Sequence, residues 1–223
     1  MNPLHWLAGR CLACDLPTQP TTGDLCTQCY GELPWCEQVA EPIPGAVLTL
    51  AAVDFQGGVR DWVHQLKYRN GLVQGQVLGQ VLTAAVSAQY RPGRRRLGLS
   101  DRSLRLPQAI VPVPMPRSSW LRRGRNQASV LAAPVARALN IPVLHRLALR
   151  PRKSADQHTL SATERRSLMG TAFVIKAQPP ERVAIVDDVL TTGATCAALT
   201  RALRAAGARE VHVWCLAATP APL

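Results

Sequence analysis

The sequence predicts an α/β protein, a mainly parallel sheet flanked by helices, with a small cysteine-rich module ahead of it. Three observations carry the prediction. Short β-branched apolar runs alternate with segments of helical periodicity over most of the chain. One such run, Val183-Ala184-Ile185-Val186, ends in two adjacent carboxylates and a hydroxyl-and-glycine turn that opens a helix. Five of the seven cysteines fall within the first forty residues. A chain of 223 residues with 47% hydrophobic content suffices for one full core and one small appended module.

The module, residues 1–41, comes first. Cys11 and Cys14 form one C-x2-C pair and Cys26 and Cys29 a second, with eleven residues between them. Each pair presents two thiolates to one metal, which suits a tetrahedral structural zinc ion. The intervening Pro17, Pro20, Gly23 and Asp24 make a turn-rich loop able to bring the pairs together. A disulfide pair and a redox C-x-x-C compete with zinc. A reducing compartment disfavours the first, and the lack of a surrounding βαβ pattern disfavours the second. Cys36 reads as a small apolar filler, and Cys196 and Cys215 as buried packing residues.

Pro42-Ile43-Pro44-Gly45 reads as a linker, and the main domain spans 46–223. Val47 to Phe55 is a predicted strand, followed by a helix whose apolar face is Val59, Val63 and Leu66. A second helical pattern runs from Leu72 through Val77, Val81 and Val86, weakened by glycines. Ala109 to Pro114 is a short buried strand, Ala128 to Leu139 a helix, and Ile141 to Leu144 a strand. Ser161-x-x-Glu164 is a capping box opening a short helix. Val183 to Val186 is a strand covered on both faces, and Leu199, Leu203 and Ala206 mark a helix that stops at Gly207. Glu210 to Ala217 is the last strand.

The candidate site lies where the Val183 strand ends. In open α/β sheets ligands bind outside the carboxyl ends of the strands, where Asp187 and Asp188 project. The turn Thr191-Thr192-Gly193-Ala194-Thr195 offers three hydroxyls and a glycine free to adopt positive φ, at a helix N-terminus that favours anions. Phosphate on the turn and sugar hydroxyls on the carboxylates make it a ribose-phosphate site.

The stretch Asp187-Asp188-Val189-Leu190-Thr191-Thr192-Gly193-Ala194-Thr195 resembles the phosphoribosyl-pyrophosphate (PRPP) motif of type I phosphoribosyltransferases. Leu66-Lys67-Tyr68, Arg123-Gly124-Arg125-Asn126-Gln127-Ala128 and Gln157-x-x-Leu160-Ser161-x-x-x-Arg165, with the cysteine-rich start, resemble in order and spacing the landmarks of the ComF family of competence proteins. Arg125 stands where that family commonly has phenylalanine, and Ser167 where it commonly has asparagine. The resemblance implies a type I phosphoribosyltransferase-like domain, PRPP held by residues 189–195, magnesium carried with it, and a part in DNA uptake and natural transformation alongside competence-machinery proteins. It also implies that Arg117, after the predicted strand 109–114, and Lys153, in a loop that closes over such sites, face the pyrophosphate.

The formal net charge of +12 is concentrated. Residues 91–126 hold ten arginines and one acid, and residues 146–166 hold six basic residues and two acids. Such patches suit a nucleic acid, and Trp120 among Arg122, Arg123 and Arg125 suits a stacked base of single-stranded DNA. Arg94, Arg95 and Arg96 would extend the patch, or form a solubilising loop. No run of eighteen apolar residues exists, which argues against membrane insertion. The start has neither a basic nor a continuous apolar leader region, so a cytoplasmic location is expected. Two readings stay open: a PRPP-binding protein that handles single-stranded DNA, and an active magnesium-dependent phosphoribosyltransferase of nucleotide salvage with no DNA role.

Overall fold

The computed structural model describes residues 9–18, 24–36, 42–68, 71–91, 104–116, 120–121, 123–151 and 172–219. The capping box at Ser161 lies outside them. After the short helix α1 (Thr27–Gly31) come β1 (Leu48–Asp54), α2 (Gly57–Tyr68), α3 (Leu72–Gln89) and β2 (Ala109–Pro112). Then follow α4 (Gln127–Leu139), the two-residue strands β3 (Ala148–Leu149) and β4 (Val174–Ile175), β5 (Arg182–Leu190), α5 (Ala194–Ala205) and β6 (Glu210–Ala218). Four strands form one parallel sheet in the order β1-β6-β5-β2, and β3 pairs antiparallel with β4.

The sheet is buried on both faces because its strands are apolar at successive positions rather than at alternate ones. Ala184 and Val186 of β5 face one way with Leu50, Ile110, Trp214 and Leu216, and they pack on residues of α2, α3 and α4. Val183 and Ile185 face the other way with Val111, Val211 and Val213, and pack on Leu199, Ala202 and Leu203 of α5 and on Phe173 beside the β3–β4 ribbon. Each large side chain so buried contributes about 1.5–3 kcal/mol.

Two strands depart from the sequence expectation. The strand expected to stop at Val186 runs on through both aspartates to Leu190, because β6 pairs with it the whole way, Asp187 opposite Cys215 and Leu190 opposite Ala218. Tertiary pairing here overrides the poor strand propensity of aspartate. The strand expected at 141–144 is a single parallel bridge between Val143 and Ile110, with Ile110 N–H donating to Pro142 O at 2.9 Å and Leu144 N–H to Ile110 O at 2.8 Å. Pro142 has no N–H with which to lengthen that ladder.

The glycines of α3 are its contact surface. A Cβ at Gly75 would lie 2.6 Å from Val130 Cγ1 and one at Gly79 the same distance from Pro134 Cγ, so α3 and α4 approach as closely as they do because both positions lack side chains.

At the β1 edge the N-terminal module closes the sheet. Trp35 bridges to Val53, Cys36 N–H donates to Ala52 O at 3.1 Å, and Asp54 N–H donates to Pro34 O at 2.7 Å. Cys11, Leu25 and Leu33 belong to the same apolar cluster as the α3 face of the sheet. The expected linker is packed as well: Ile43 is buried and its N–H donates to Thr49 Oγ1 at 2.9 Å.

Gly79→Ala should lower stability by about 1–3 kcal/mol despite alanine's better helix propensity, because the ring of Pro134 cannot rotate away. A denaturant midpoint equal to or above that of the parent would show that the α3–α4 contact tolerates the methyl group.

Candidate functional site

The alternation of β5 decides where the two carboxylates go. Residues 183, 185 and 187 share one face and 184, 186 and 188 the other. Asp187 therefore turns toward α5, where Cys196 Sγ lies 3.9 Å from its Oδ2. Asp188 turns toward the α2 side, where Lys67 Nζ sits 2.7 Å from its Oδ2, the two side chains 22% and 16% exposed. Backbone donors fix the remaining oxygens: Asp188 N–H donates to Asp187 Oδ1 and Val189 N–H to Asp188 Oδ1, each at 2.9 Å.

Lys67 reaches this place because α2 does not run down the sheet. The helix starts just past the carboxyl end of β1, and its last turn meets the carboxyl end of β5, two strands away. Twelve residues of helix cover about 18 Å, ample for about 10 Å of sheet. The role of Lys67 was not read from the sequence, yet a signal exists. It lies four residues after Val63 on the stripe that buries Val59, Val63 and Leu66, and a cation beside a buried stripe needs a counter-charge.

Burial, followed by the neighbouring charge of Asp188, pushes the Asp187 carboxyl up to about 8. Cys215, opposite Asp187 in β6, has its thiol pushed further up by Cys196 beside it and by burial. The α5 side of the pair thus disfavours a charged carboxylate, and the α2 side carries the ion pair.

Beyond Leu190 the chain surfaces. Thr191, Thr192 and Ala194 are exposed, and Gly193 adopts φ +69° as N-cap of α5 with no side-chain hydrogen bond to the helix. A Cβ on Gly193 would overlap Ile43 Cδ1, so backbone conformation and packing both demand glycine. Ala197 N–H donates to Gly193 O at 2.8 Å, which starts the helix, while Ala194 N–H has only a long 3.4 Å approach to Thr192 Oγ1. Thr219 N–H donates to Leu190 O at 3.0 Å and anchors the start of the turn. The turn is an open, rigid cradle of N–H and hydroxyl groups, suited to an anion. Within the motif Val189 is half-buried and Leu190 buried, so both serve to hold the turn in place.

Among the other residues singled out by sequence, Arg94, Arg95, Arg96, Arg117, Arg122 and Lys153 lie outside the described residues. Trp120 and Leu121 are exposed at 53% and 67% just past the carboxyl end of β2. Arg123 and Arg125 are half-buried, and Arg123 Nη1 donates to Gln127 Oε1 at 3.4 Å. Asn126 caps α4 by accepting from Ala128 N–H at 3.1 Å, and its Nδ2 donates to Val113 O at 2.9 Å. That second bond ties the arginine-containing segment to the end of β2, the strand beside β5.

The four cysteines form one cluster. The sulfurs of Cys11, Cys14, Cys26 and Cys29 all lie within 4.8 Å of one another, and those of Cys14 and Cys26 are 3.8 Å apart. A zinc–sulfur bond of about 2.3 Å in a tetrahedron implies sulfurs about 3.8 Å apart, so the donor set fits zinc. Cys11 N–H bonds to Leu16 O at 2.8 Å, and Asp15 takes φ +61° to close the first knuckle. Cys26 caps α1, its sulfur accepting from Cys29 N–H at 3.4 Å. Burial pushes the Cys11 thiol up, but donors from Cys26, Cys14 and Ala13 outweigh it and bring it down to about 6, whereas Cys29 is pushed up by Cys26 at its side. Such crowding of thiols calls for a shared cation. Cys36 stands apart. It is not the apolar filler expected, since its thiol donates to Asp54 Oδ1 at 3.4 Å, and burial pushes it up to about 12. Cys196 and Cys215 are buried, as expected.

The chain is similar to several known proteins. Residues 126–223 match the phosphoribosyl transferase domain family. The chain is 34% identical over 221 residues to the DNA utilization protein YhgH of Escherichia coli K12, covering 96% of this chain and 92% of that protein. It is 36% identical over 159 residues to competence protein F of Haemophilus influenzae, covering 70% of this chain and 66% of that protein. A crystal structure of a purine phosphoribosyltransferase from Pyrococcus horikoshii aligns with 66% of this chain and 74% of that chain, at 19% identity and a TM-score of 0.33.

Purified protein should carry one zinc per chain, and chelation should lower the melting temperature by about 5 °C or more, because zinc loss frees the segment that closes the β1 edge. Cys11→Ser with an unchanged zinc content would remove Cys11 from the metal site. The Asp187 carboxyl should titrate near 8 by carbon-13 NMR. Asp188→Asn should lower that value, and an unmoved midpoint would assign the shift to burial alone. Since the folded value is raised, the stability due to Asp187 is complete below the ordinary carboxylate range and is lost as pH rises through about 8.

Proposed function

The chain belongs to the family of competence protein F and the DNA utilization protein YhgH, and from that premise we propose that it binds a ribose phosphate of the PRPP class and serves DNA utilisation. The observation that carries the ligand class is the cradle itself: a Thr-Thr-Gly-Ala-Thr turn, exposed at Thr191, Thr192 and Ala194, whose left-handed glycine opens α5 with no side-chain cap directly beyond a half-buried acid pair. The 5′-phosphate would rest on the backbone and hydroxyls of 192–195 and the sugar hydroxyls on Asp187 and Asp188, with Arg117 and Lys153 proposed for the diphosphate. Magnesium belongs to the ligand in this reading. Asp188 bonds Val189 N–H through one oxygen and Lys67 through the other, and the ammonium beside it disfavours a second cation there, so that ion would travel on the diphosphate and neutralise its charge.

The DNA part rests on the relatives' names, on the basic stretches and on Trp120. An exposed tryptophan beside arginines is a stacking platform for a single-stranded base. The half-burial of Arg123 and Arg125 leaves the phosphate contacts to Arg122 and Arg94–Arg96. Zinc is structural here, since four thiolates leave no open position for chemistry. A cytoplasmic location accords with single-stranded DNA as cargo, and among the described residues no helix is long and apolar enough to cross a membrane.

Calorimetry should show binding of ribose 5-phosphate, lost by tenfold or more in Gly193→Ala. No heat from the parent protein at millimolar ligand would sink the ribose-phosphate reading. Labelled single-stranded DNA should bind with log K falling against log salt by about 0.7 per phosphate contacted, and Trp120→Ala should weaken it by about 1–3 kcal/mol. A flat salt profile would remove DNA from the proposal, and release of pyrophosphate from PRPP with a base would make the protein a transferase.

A further inference from the structure

We propose that Lys67 is the residue that makes this site select a diphosphate-bearing ribose over a ribose monophosphate, by exchanging its partner from Asp188 to the ligand's diphosphate. The proposal rests on the ribose-phosphate reading above and adds to it a specificity-determining cation from a different part of the fold.

The argument begins with the state of Asp188. Its Oδ1 accepts from Val189 N–H and its Oδ2 is held by Lys67 Nζ at 2.7 Å, with the side chain only 16% exposed. Each oxygen keeps a second lone pair, so a sugar hydroxyl can bond Asp188 beside Lys67, and it gains the better acceptor where the ammonium moves off. The ammonium is the more movable of the two partners of that carboxylate. It ends a flexible four-carbon stem with three donors, whereas the Val189 N–H is fixed within a nine-residue strand.

Ribose geometry supplies the direction. The 5′-phosphate and the substituent at the anomeric carbon leave opposite ends of the sugar, and the two ring hydroxyls lie between them on the edge away from the ring oxygen. With the 5′-phosphate on the 192–195 turn and the hydroxyls at the acid pair, the anomeric substituent falls on the side of the acid pair away from the turn. Lys67 is the cation paired there among the described residues, brought by a helix that crosses the sheet ends. A diphosphate at that carbon offers the ammonium multiple anionic oxygens in exchange for one carboxylate. A ribose monophosphate offers it nothing, so binding that ligand must either leave Lys67 on Asp188 or strand its charge.

The exchange also keeps Asp188 supplied with a hydrogen-bond donor. In the free site one ammonium compensates Asp188, while Asp187 sits in the apolar surroundings of Cys196 and Cys215. When the diphosphate takes the ammonium, Asp188 is released to accept the sugar hydroxyl, which supplies the donor that Lys67 withdrew. Ligand and lysine thus satisfy the same carboxylate in turn.

The test measures two ligands on the full chain by calorimetry, ribose 5-phosphate and PRPP, each with magnesium, for the parent, Lys67→Met and Lys67→Gln. The parent should bind PRPP more tightly than ribose 5-phosphate. Both variants should lose about tenfold or more for PRPP, about 1.4 kcal/mol, while ribose 5-phosphate affinity stays within twofold or rises. Lys67→Arg should restore part of the preference. Inorganic pyrophosphate should bind the parent and not Lys67→Met. Equal losses for both ligands would make Lys67 a structural clamp on Asp188 and overturn the proposal, as would an unchanged PRPP affinity. Lys67→Gln retains a donor for Asp188, so it carries the test should Lys67→Met fail to fold. A parent that binds neither ligand would bring down the ribose-phosphate reading itself, an outcome distinct from a parent that binds both and variants that lose both alike.

Discussion

The pairing of β5 with β6, continued to Leu190 and Ala218, is the constraint from which the candidate site follows. Had β5 ended at Val186, the two aspartates would be loop residues free to turn to one side. Held in a strand, they obey its alternation and face opposite layers of the molecule. Asp187 enters the apolar α5 layer, and Asp188 enters the layer where α2 delivers Lys67. The same pairing sets the height at which the chain leaves the sheet, and so the position of the Thr191–Thr195 turn relative to the acids. Strand length alone thereby gives two identical side chains different surroundings, one whose carboxyl is pushed up and one that is ion-paired.

The edges of the sheet matter for a related reason. A parallel sheet of four strands exposes unpaired backbone on its two outer strands, an invitation to aggregation. At β2 the closure is a single bridge from Val143, limited by Pro142. At β1 it is residues 34–36, which emerge from the four-cysteine cluster and hydrogen-bond to Ala52 and Asp54. The four-cysteine segment is therefore part of the sheet's integrity. Too few large apolar residues lie in the first forty positions to fold that segment alone, so the metal would supply the free energy and β1 would receive the benefit.

Much of this was legible in the sequence. Runs such as Val183–Val186 and the stripes Val59-Val63-Leu66 and Val77-Val81-Val86 are governed by burial, which composition records directly, and their elements stand where periodicity puts them. The paired C-x2-C spacing likewise encodes a geometry that needs no tertiary information. What stayed illegible depends on partners distant in the chain. The extension of β5 through two aspartates depends on β6, twenty-odd residues later. The reduction of 141–144 to one bridge depends on how Pro142 meets Ile110. Gly75 and Gly79 read as weak points of a helix until Val130 and Pro134 are seen against them. Lys67 read as part of a family landmark, and only the path of α2 across the sheet gives it a partner.

Ile43 joins these separate constraints. Expected to be a linker residue, it is buried between Leu190 and the αL glycine of the cradle, and its N–H is fixed by Thr49 on β1. The conformation of Gly193 is thus enforced from two directions. Its own φ of +69° excludes most side chains, and the Ile43 methyl fills the space a Cβ would need. A cradle for an anion gains from such rigidity, since N–H groups already aimed at the ligand need no ordering when it binds. Ile43 is held to β1, and β1 is closed by the cysteine module, so the Thr191–Thr195 turn is braced through a path of packed residues that begins at the four-cysteine cluster. Rigidity of the turn then sets the contrast with Lys67, whose long stem is the movable part of an otherwise fixed site. In the proposed mode of binding, immobile backbone would hold one end of the sugar and the charge on a flexible stem the other.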